Sequence, residues 1–366
     1  MEKIIAIVTI WDTQDNYGQI LQCYALQKYL TTLGCNAFLL KTRSDTLAPL
    51  SLRKRMLAIP AKIFSLRFWE LLYFRYKLNV FSKRYGHVDR GFDLFRTSYI
   101  KSSDKIFDIN DLRRNCPNAD IYITGSDQVW GAPSDIYFLN FVPEGKRKYS
   151  YAASFGSNSF NEENCKKMSL YLKTFNEVTV REYSGEERCK LLGIKAKRVI
   201  DPTGLLTNEE YLDIASLPDE KGYILLYLLG NYTDVNFDKI YHYANQKNIS
   251  VKYVASQGRN DSYPKIFPSP TEWIGLIANA SYVITNSYHC CLFSMYFRKK
   301  FMMLRLTGIF EKMNARMDTL FSQYKVPKVK SLPDLLYTPF NYEQISMLLE
   351  QDRNEAVRIL NSWIKE

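Results

Sequence analysis

Residues 4–40 read IIAIVTIWDTQDNYGQILQCYALQKYLTTLGCNAFLL, and this stretch decides the fold. Ile4–Ile10 is a β-branched run broken only by Thr9, which predicts a central parallel strand buried on both faces. The polar turn Trp11–Gly18 follows, then a helix from Gln19 to Leu33 whose inner side carries Leu21, Ala25, Leu26, Tyr29 and Leu30. Gly34 stops that helix, and Ala37–Leu40 is the next strand. A βαβ unit that begins at residue 4 places the turn after its first strand at the carboxyl edge of a sheet, where such folds bind ligands.

The pattern repeats along the chain. Asp120–Thr124 runs into Gly125, Ser126 and Asp127, and Tyr149–Ala153 into Ser154, Phe155, Gly156 and Ser157. Asn161–Phe175 is expected to be helical. Glu177–Val180 reaches Arg181 and Glu182, and Arg198–Ile200 is closed by Asp201 and Pro202. A second series opens near Gly222, with strands at Tyr223–Leu229, Val251–Ala255, Tyr282–Thr285 and Phe301–Leu304. The expectation is an α/β protein of two Rossmann-like lobes. Residues 1–210 form the first, with a basic helical insertion at about 43–100, and 211–340 form the second; 341–366 is a helix packed across a lobe.

Composition narrows the function classes. Hydrophobic residues make up 46% and charged residues 24% of the 366, as in ordinary globular chains. Aromatics are high, with 27 Tyr and 21 Phe, which suits partly wet surfaces such as sugar-binding clefts. Seven cysteines without a CxxC pair read as a reduced, cytoplasmic chain, and three histidines argue against a clustered zinc site. No secretory signal is visible, and no run approaches the ~18 apolar residues of a membrane span. The net charge of +11 is concentrated between Arg43 and Arg84, where ten Lys or Arg face two acids among Phe64, Phe68, Trp69, Leu71, Leu72, Tyr73 and Phe74. Such a segment fits peripheral contact with an anionic membrane face, a phosphorylated substrate, or a solvated helical insertion; its apolar residues do not fall on one helical face. No recognition helix, zinc finger or RNA-binding signature accompanies the charge, so no nucleic-acid partner is expected.

The dinucleotide GxGxxG, the phosphate loop GxxxxGK[ST] and the nucleophile elbow GxSxG are all missing. What remains are polar residues at predicted strand ends. His289, beside Asn286 and Ser287, stands where a side chain meets either substrate, as a general acid–base, or its own helix, as a cap or packing group. Arg181 with Glu182 is either a hold for phosphate or carboxylate or a structural ion pair.

Taken together and in order, several short motifs resemble the polysaccharide pyruvyl transferase family over roughly residues 4–320. They are Asn16–Tyr17–Gly18, Thr124–Gly125–Ser126–Asp127–Gln128–Val129–Trp130, Tyr151–Ala152–Ala153–Ser154–Phe155–Gly156, Val180–Arg181–Glu182, Val199–Ile200–Asp201–Pro202–Thr203 and Thr285–Asn286–Ser287–Tyr288–His289. Asn314 and Arg316 look like a late family signature. The resemblance implies a fold similar to the two-lobed GT-B glycosyltransferases, with a site in the cleft between lobes. It also implies transfer of a pyruvyl group from phosphoenolpyruvate to two hydroxyls of a sugar, in a surface polysaccharide or its lipid-linked precursor, giving a cyclic ketal. Neither a cofactor nor a metal is expected. On this reading His289, Asp12 and Asp15 are catalytic; Arg181, Ser126, Ser287 and Arg316 bind the donor; and Asn16, Tyr17 and Gln19 meet the acceptor. Family members often carry Asp at the position of Asn286, Gly at that of Cys290, and GNYGD or GNYGA where this chain has Asp15–Asn16–Tyr17–Gly18–Gln19. The alternatives are a nucleotide-sugar-dependent glycosyltransferase on the same architecture and a non-catalytic binding protein of a glycan pathway.

Overall fold

The computed structural model describes residues 2–43, 45, 66–156, 160–230, 235–308, 311 and 314–365. The chain begins with β1 (Ile4–Val8), α1 (Tyr17–Thr32), β2 (Asn36–Leu39), α2 (Leu66–Tyr85), α3 (Phe92–Tyr99), α4 (Ile109–Arg114), β3 (Ile121–Thr124) and β4 (Arg147–Ala153). Then come α5 (Glu162–Leu172), β5 (Glu177–Val180), α6 (Tyr183–Leu191), β6 (Lys197–Arg198), a 3-10 turn (Pro202–Gly204), α7 (Asn208–Leu212), β7 (Ile224–Tyr227) and α8 (Phe237–Gln246). The rest is β8 (Val251–Val254), α9 (Pro270–Asn279), β9 (Tyr282–Thr285), α10 (Tyr288–Tyr296), β10 (Lys300–Met303), α11 (Asn314–Gln323), α12 (Leu332–Tyr337) and α13 (Tyr342–Lys365).

These elements fall into two compact units. One comprises Met1–Leu47, Asp93–Thr207 and Met347–Glu366, and the other Ala48–Phe92 and Asn208–Ser346. The segment expected as an insertion of the first lobe is therefore divided between the units, and its part at 46–65 lies outside the described residues.

The first unit is built on a parallel sheet in the order β2-β1-β3-β4-β5-β6. Every residue of β3 is buried, as are the last four of β1, because helices cover both faces. Helix α1 is buried on nearly every side, from Tyr17 and Gly18 through Leu21, Tyr24 and Leu26 to Leu30. Tyr24 meets the rings of Phe95 and Tyr99 edge-on, so α3 closes a face that an ordinary surface helix would leave to water. The second unit carries a four-stranded parallel sheet in the order β10-β9-β7-β8. Numbered from its own first strand, each sheet contains the run 2-1-3-4. Each therefore reverses direction at one point, between β1 and β3 in the first unit and between β7 and β9 in the second. Ligands of open α/β sheets bind beyond the carboxyl ends of the strands at such points.

Much of the tyrosine excess serves the cores rather than wet surfaces. Tyr17, Tyr122, Tyr149, Tyr151, Tyr211, Tyr223, Tyr227, Tyr253 and Tyr324 are among the largest fully buried side chains. Burial is tolerable because the hydroxyls find acceptors: Tyr151 donates to the Ile200 carbonyl (3.1 Å) and Tyr223 to that of Leu276 (2.7 Å).

Beyond Met347, α13 belongs to the first unit and is anchored there by Trp363. Its indole stacks on Tyr149 (centroids 4.4 Å apart, 14° between planes), donates to Glu177 Oε2 (2.8 Å) and is fully buried. Trp363→Ala is expected to lower unfolding free energy by about 3–5 kcal/mol, as large-to-small aromatic changes in cores do. Trp363→Phe, which keeps the stack and loses the hydrogen bond, should fall between. Urea unfolding of the three proteins checks this; an unchanged midpoint for the alanine variant would mean that α13 does not anchor here.

Candidate active site

At the reversal point of the first sheet, the buried side chains of Gln22 and Thr9 close a ring with the backbone of Ser126. Gln22 on α1 donates from Nε2 to Thr9 Oγ1 (3.0 Å), and the Thr9 hydroxyl donates to the Ser126 carbonyl (3.3 Å). The Ser126 amide in turn donates to Gln22 Oε1 (3.0 Å). The ring locks the end of β1 to the end of β3 and satisfies groups that burial would otherwise leave without partners.

The motifs Thr124–Trp130 and Tyr151–Gly156 form a single object. Gly125 has φ +113°, and a Cβ there would stand 2.2 Å from the Tyr151 carbonyl oxygen, so no other residue fits. Gly156 (φ +64°) plays the matching part from β4, with Gln128 Oε1 2.8 Å from where its Cβ would be. Between them Trp130 is fully buried against Phe138 and Phe155 and donates to the Tyr137 carbonyl (3.1 Å). The loops after β3 and β4 are thus complementary surfaces, which explains why their residue types are so restricted.

Arg181, at the end of β5, lies at the centre of a buried ionic cluster. Its Nε donates to Glu182 Oε1 (3.0 Å) and its Nη1 to Asp201 Oδ2 (3.2 Å), while Nη2 is 4.0 Å from Asp127 Oδ1. Glu182 Oε1 also accepts from the Ser154 hydroxyl (3.0 Å). Asp201 Oδ1 accepts from the Thr203 amide (3.0 Å) and hydroxyl (2.8 Å). The Ser126 hydroxyl donates to the Ala152 carbonyl (2.9 Å), with Asp201 Oδ2 3.4 Å away. Ser126 and Arg181, expected to face the donor, are held here by neighbouring strand ends.

The early loop is pinned from outside the βαβ unit. Arg96 of α3 donates to the carbonyl of Thr13 (2.7 Å), and the Trp11 indole donates to that of Thr42 (2.9 Å). Asn16 caps α1, its side chain accepting from the Gln19 amide (3.3 Å). Gln19 then donates to Asp127 Oδ2 (2.8 Å), which joins the loop to the ionic cluster. Asp12 is exposed and Asp15 half-buried, whereas Tyr17 is fully buried in the core and is placed to support the loop rather than to touch a ligand. The residues that sequence reasoning passed over are Thr9, Gln22, Arg96 and Asp201. Asp201 had a signal, standing directly after a predicted strand. Gln22 and Arg96 had none, since a polar side chain inside a helix shows its role only when the partner strands are in place.

In the second unit the corresponding reversal point lies between Leu228–Gly230, after β7, and Asn286–His289, after β9. Asn286 clamps it. Its Oδ1 accepts from the Leu229 amide (2.6 Å) and its Nδ2 donates to the Leu229 carbonyl (2.9 Å). Ser287 caps α10 by accepting from the Cys290 amide (3.4 Å). His289 follows in the first turn of α10, buried and edge-on to Tyr288 (5.4 Å). Asn314, opening α11, repeats the amide clamp on Leu306 (2.9 and 2.8 Å), and Arg316 is half-buried two residues later. Burial pushes the Cys290 thiol up to about 12, so at neutral pH it is a small apolar filler.

Ordered motifs at the carboxyl edges of two parallel sheets agree with what comparison finds: the family model described as polysaccharide pyruvyl transferase matches residues 16–306. The chain belongs to the polysaccharide pyruvyl transferase family. No curated protein is similar enough in sequence to match. Among solved structures, the UDP-GlcNAc 2-epimerase of Methanocaldococcus jannaschii is similar with a TM-score of 0.52 at 12% identity, over 98% of this chain and 99% of that one. The UDP-GlcNAc 2-epimerase of Neisseria meningitidis, bound to UDP-GlcNAc, gives a TM-score of 0.53 at 10% identity, over 100% of both chains. Identities this low speak to fold alone, and they make the architecture of this pyruvyl transferase family member GT-B-like, as expected.

Two outcomes follow from the geometry. Arg181→Ala leaves carboxylates buried without their cation, so unfolding free energy should drop by about 3–5 kcal/mol. Calorimetry of the ligand-free variant measures it; unchanged stability would return Arg181 to the role of an open donor hold. Replacing Asn286 by Asp, the residue frequent in the family, removes the donor that faces the Leu229 carbonyl. Asn286→Asp should therefore destabilise by about 1–3 kcal/mol, measured by urea unfolding. Equal or greater stability would show that the clamp contributes nothing.

Proposed function

We propose that this protein transfers the pyruvyl group of phosphoenolpyruvate to two hydroxyls of a saccharide, forming a cyclic ketal and releasing phosphate. The observation that carries the proposal is the placement of His289 on the first turn of α10, directly beyond the reversal point of the second sheet, in a chain whose residues 16–306 match the pyruvyl transferase family. The reaction needs a proton delivered to the methylene carbon of the donor as a sugar hydroxyl attacks the adjacent carbon. The first hydroxyl's proton goes to a base, phosphate leaves with its bonding electrons, and the second hydroxyl closes the ring as its proton passes to the departing phosphate. Histidine exchanges protons near neutral pH and is assigned the proton transfer. Ser287 and Arg316 are assigned to the donor, and Asp12, Asp15, Asn16 and Gln19 to the acceptor side, where an exposed carboxylate can orient or deprotonate a hydroxyl.

Arg181 and Ser126 are assigned positioning roles, because their polar atoms already meet Glu182, Asp201 and the Ala152 carbonyl. In this reading they act by holding the loops after β3, β4 and β5 in fixed places, which a reacting geometry requires.

The test is acceptor-dependent phosphate release from phosphoenolpyruvate, with mass spectrometry of the glycan product. His289→Ala should slow release by about 100- to 10,000-fold, the usual contribution of general acid–base catalysis, with folding and donor affinity largely retained. Wild-type turnover by that variant would remove His289 from the proton transfer. Turnover of a nucleotide sugar without phosphoenolpyruvate would replace pyruvyl transfer by glycosyl transfer.

A further inference from the structure

Helix α2 carries two apolar faces. The inner one packs within its own unit: Phe81 is buried, Tyr85 lies 5.0 Å from Phe81 and 5.1 Å from Phe267, and the Lys77 carbonyl accepts from Asn260 Nδ2 (2.9 Å). Phe74 reaches to 4.0 Å from where a side chain on Gly230 would begin, so this face rests beside the reversal point of the second sheet. The outer face presents Trp69, Leu72, Tyr73 and Tyr76 at positions i, i+3, i+4 and i+7, with 58%, 40%, 53% and 62% of their surfaces exposed. Because both faces are apolar the helix has no amphipathic signature, which is why the sequence pattern put these residues on no single side.

The surroundings of the outer stripe are cationic. Arg75, Lys83 and Arg84 are exposed, Lys77 Nζ sits 5.2 Å over the Tyr73 ring, and α2 contains a single acid, Glu70. Trp and Tyr with a polar tip, mixed with Leu and flanked by Lys and Arg, are the side chains that settle at the boundary between lipid headgroups and acyl chains. Among the described residues no helix is long and apolar enough to cross a membrane, so any lipid contact made by these residues is interfacial. We propose that the outer face of α2 docks this unit onto an anionic phospholipid surface, the basic side chains meeting headgroups and the aromatic stripe entering the interface. The proposal deepens the functional reading, since it places the reversal point with Asn286 and His289 beside a membrane surface and favours a lipid-linked saccharide as acceptor. Its physical basis is α2 alone.

Flotation with phosphatidylcholine vesicles, with and without phosphatidylglycerol, tests it on the full chain. Binding to the anionic vesicles should exceed binding to the neutral ones by about tenfold or more at low salt and decline as salt rises. Leu72→Ser with Tyr76→Ser should reduce anionic binding by about tenfold through loss of inserted apolar area. Arg75→Glu with Lys83→Glu should abolish the preference for anionic lipid. Both variants alter exposed side chains, so circular dichroism and turnover of a water-soluble acceptor should match wild type. That control separates failure of the docking idea from failure of the pyruvyl transfer assignment. Equal binding to both vesicle types, including none, overturns the proposal, as does undiminished binding by the variants. A wild-type dimer that the serine variant converts to monomer would assign the face to a second copy of the chain instead.

Discussion

Burying Arg181 against carboxylates is the constraint on which the first unit depends. Glu182 comes from the end of β5, Asp201 follows β6, Asp127 follows β3, and Glu182 reaches back through Ser154 to β4. Four strand ends are tied to one guanidinium, and each tie is made where water cannot substitute. An ion cluster of this kind is a poor source of net stability, because desolvating the charges offsets most of their attraction. What it supplies is geometric definition, since a carboxylate that strays from the cation is left buried and uncompensated. A sheet edge that must hold loops in fixed places can use that intolerance.

The architecture was legible because parallel sheets buried on both faces leave a strong trace: Ile4–Val8, Ile121–Thr124 and Tyr282–Thr285 are short apolar runs that end in small or polar residues. Such endings also pointed to Ser126, Arg181 and His289, because residue type and position past a strand are properties of the local chain. The partners of those residues were not legible. Thr9, Gln22 and Ser126 close their ring across 117 residues, and Arg96 reaches the early loop from 83 positions away. A basic side chain in a basic segment gives no sign of which carbonyl it will meet. The same limit left Arg181 open between a donor hold and a structural ion pair, since its acidic partners converge only when β3, β5 and β6 lie side by side.

Both sheets share one winding, yet their reversal points are bridged by different chemistry. In the first unit the bridge is a ring of neutral hydrogen bonds backed by an ionic cluster. In the second it is a primary amide set against one backbone unit, with both of its functions used at Leu229. The difference bears on what each edge can do. The first presents acids and a cation already committed to one another, which suits a rigid floor. The second presents a buried histidine in the first turn of a helix capped by Ser287.

The amide also decides how the departures from the family pattern are to be read. A carboxylate at position 286 would accept from the Leu229 amide but would face the Leu229 carbonyl with no proton to offer, so Asn is the residue this backbone geometry calls for. Cys290, where Gly is frequent, is wholly buried with its thiol pushed up to about 12, and so adds volume without adding an acid, a base or a nucleophile at neutral pH. The two changes lie on either side of His289: Cys290 adds only volume, whereas Asn286 gives up a carboxylate's charge and proton exchange for an amide that satisfies both backbone groups of Leu229. What both residues share is a place in the packing of the strand end and helix start that support the histidine.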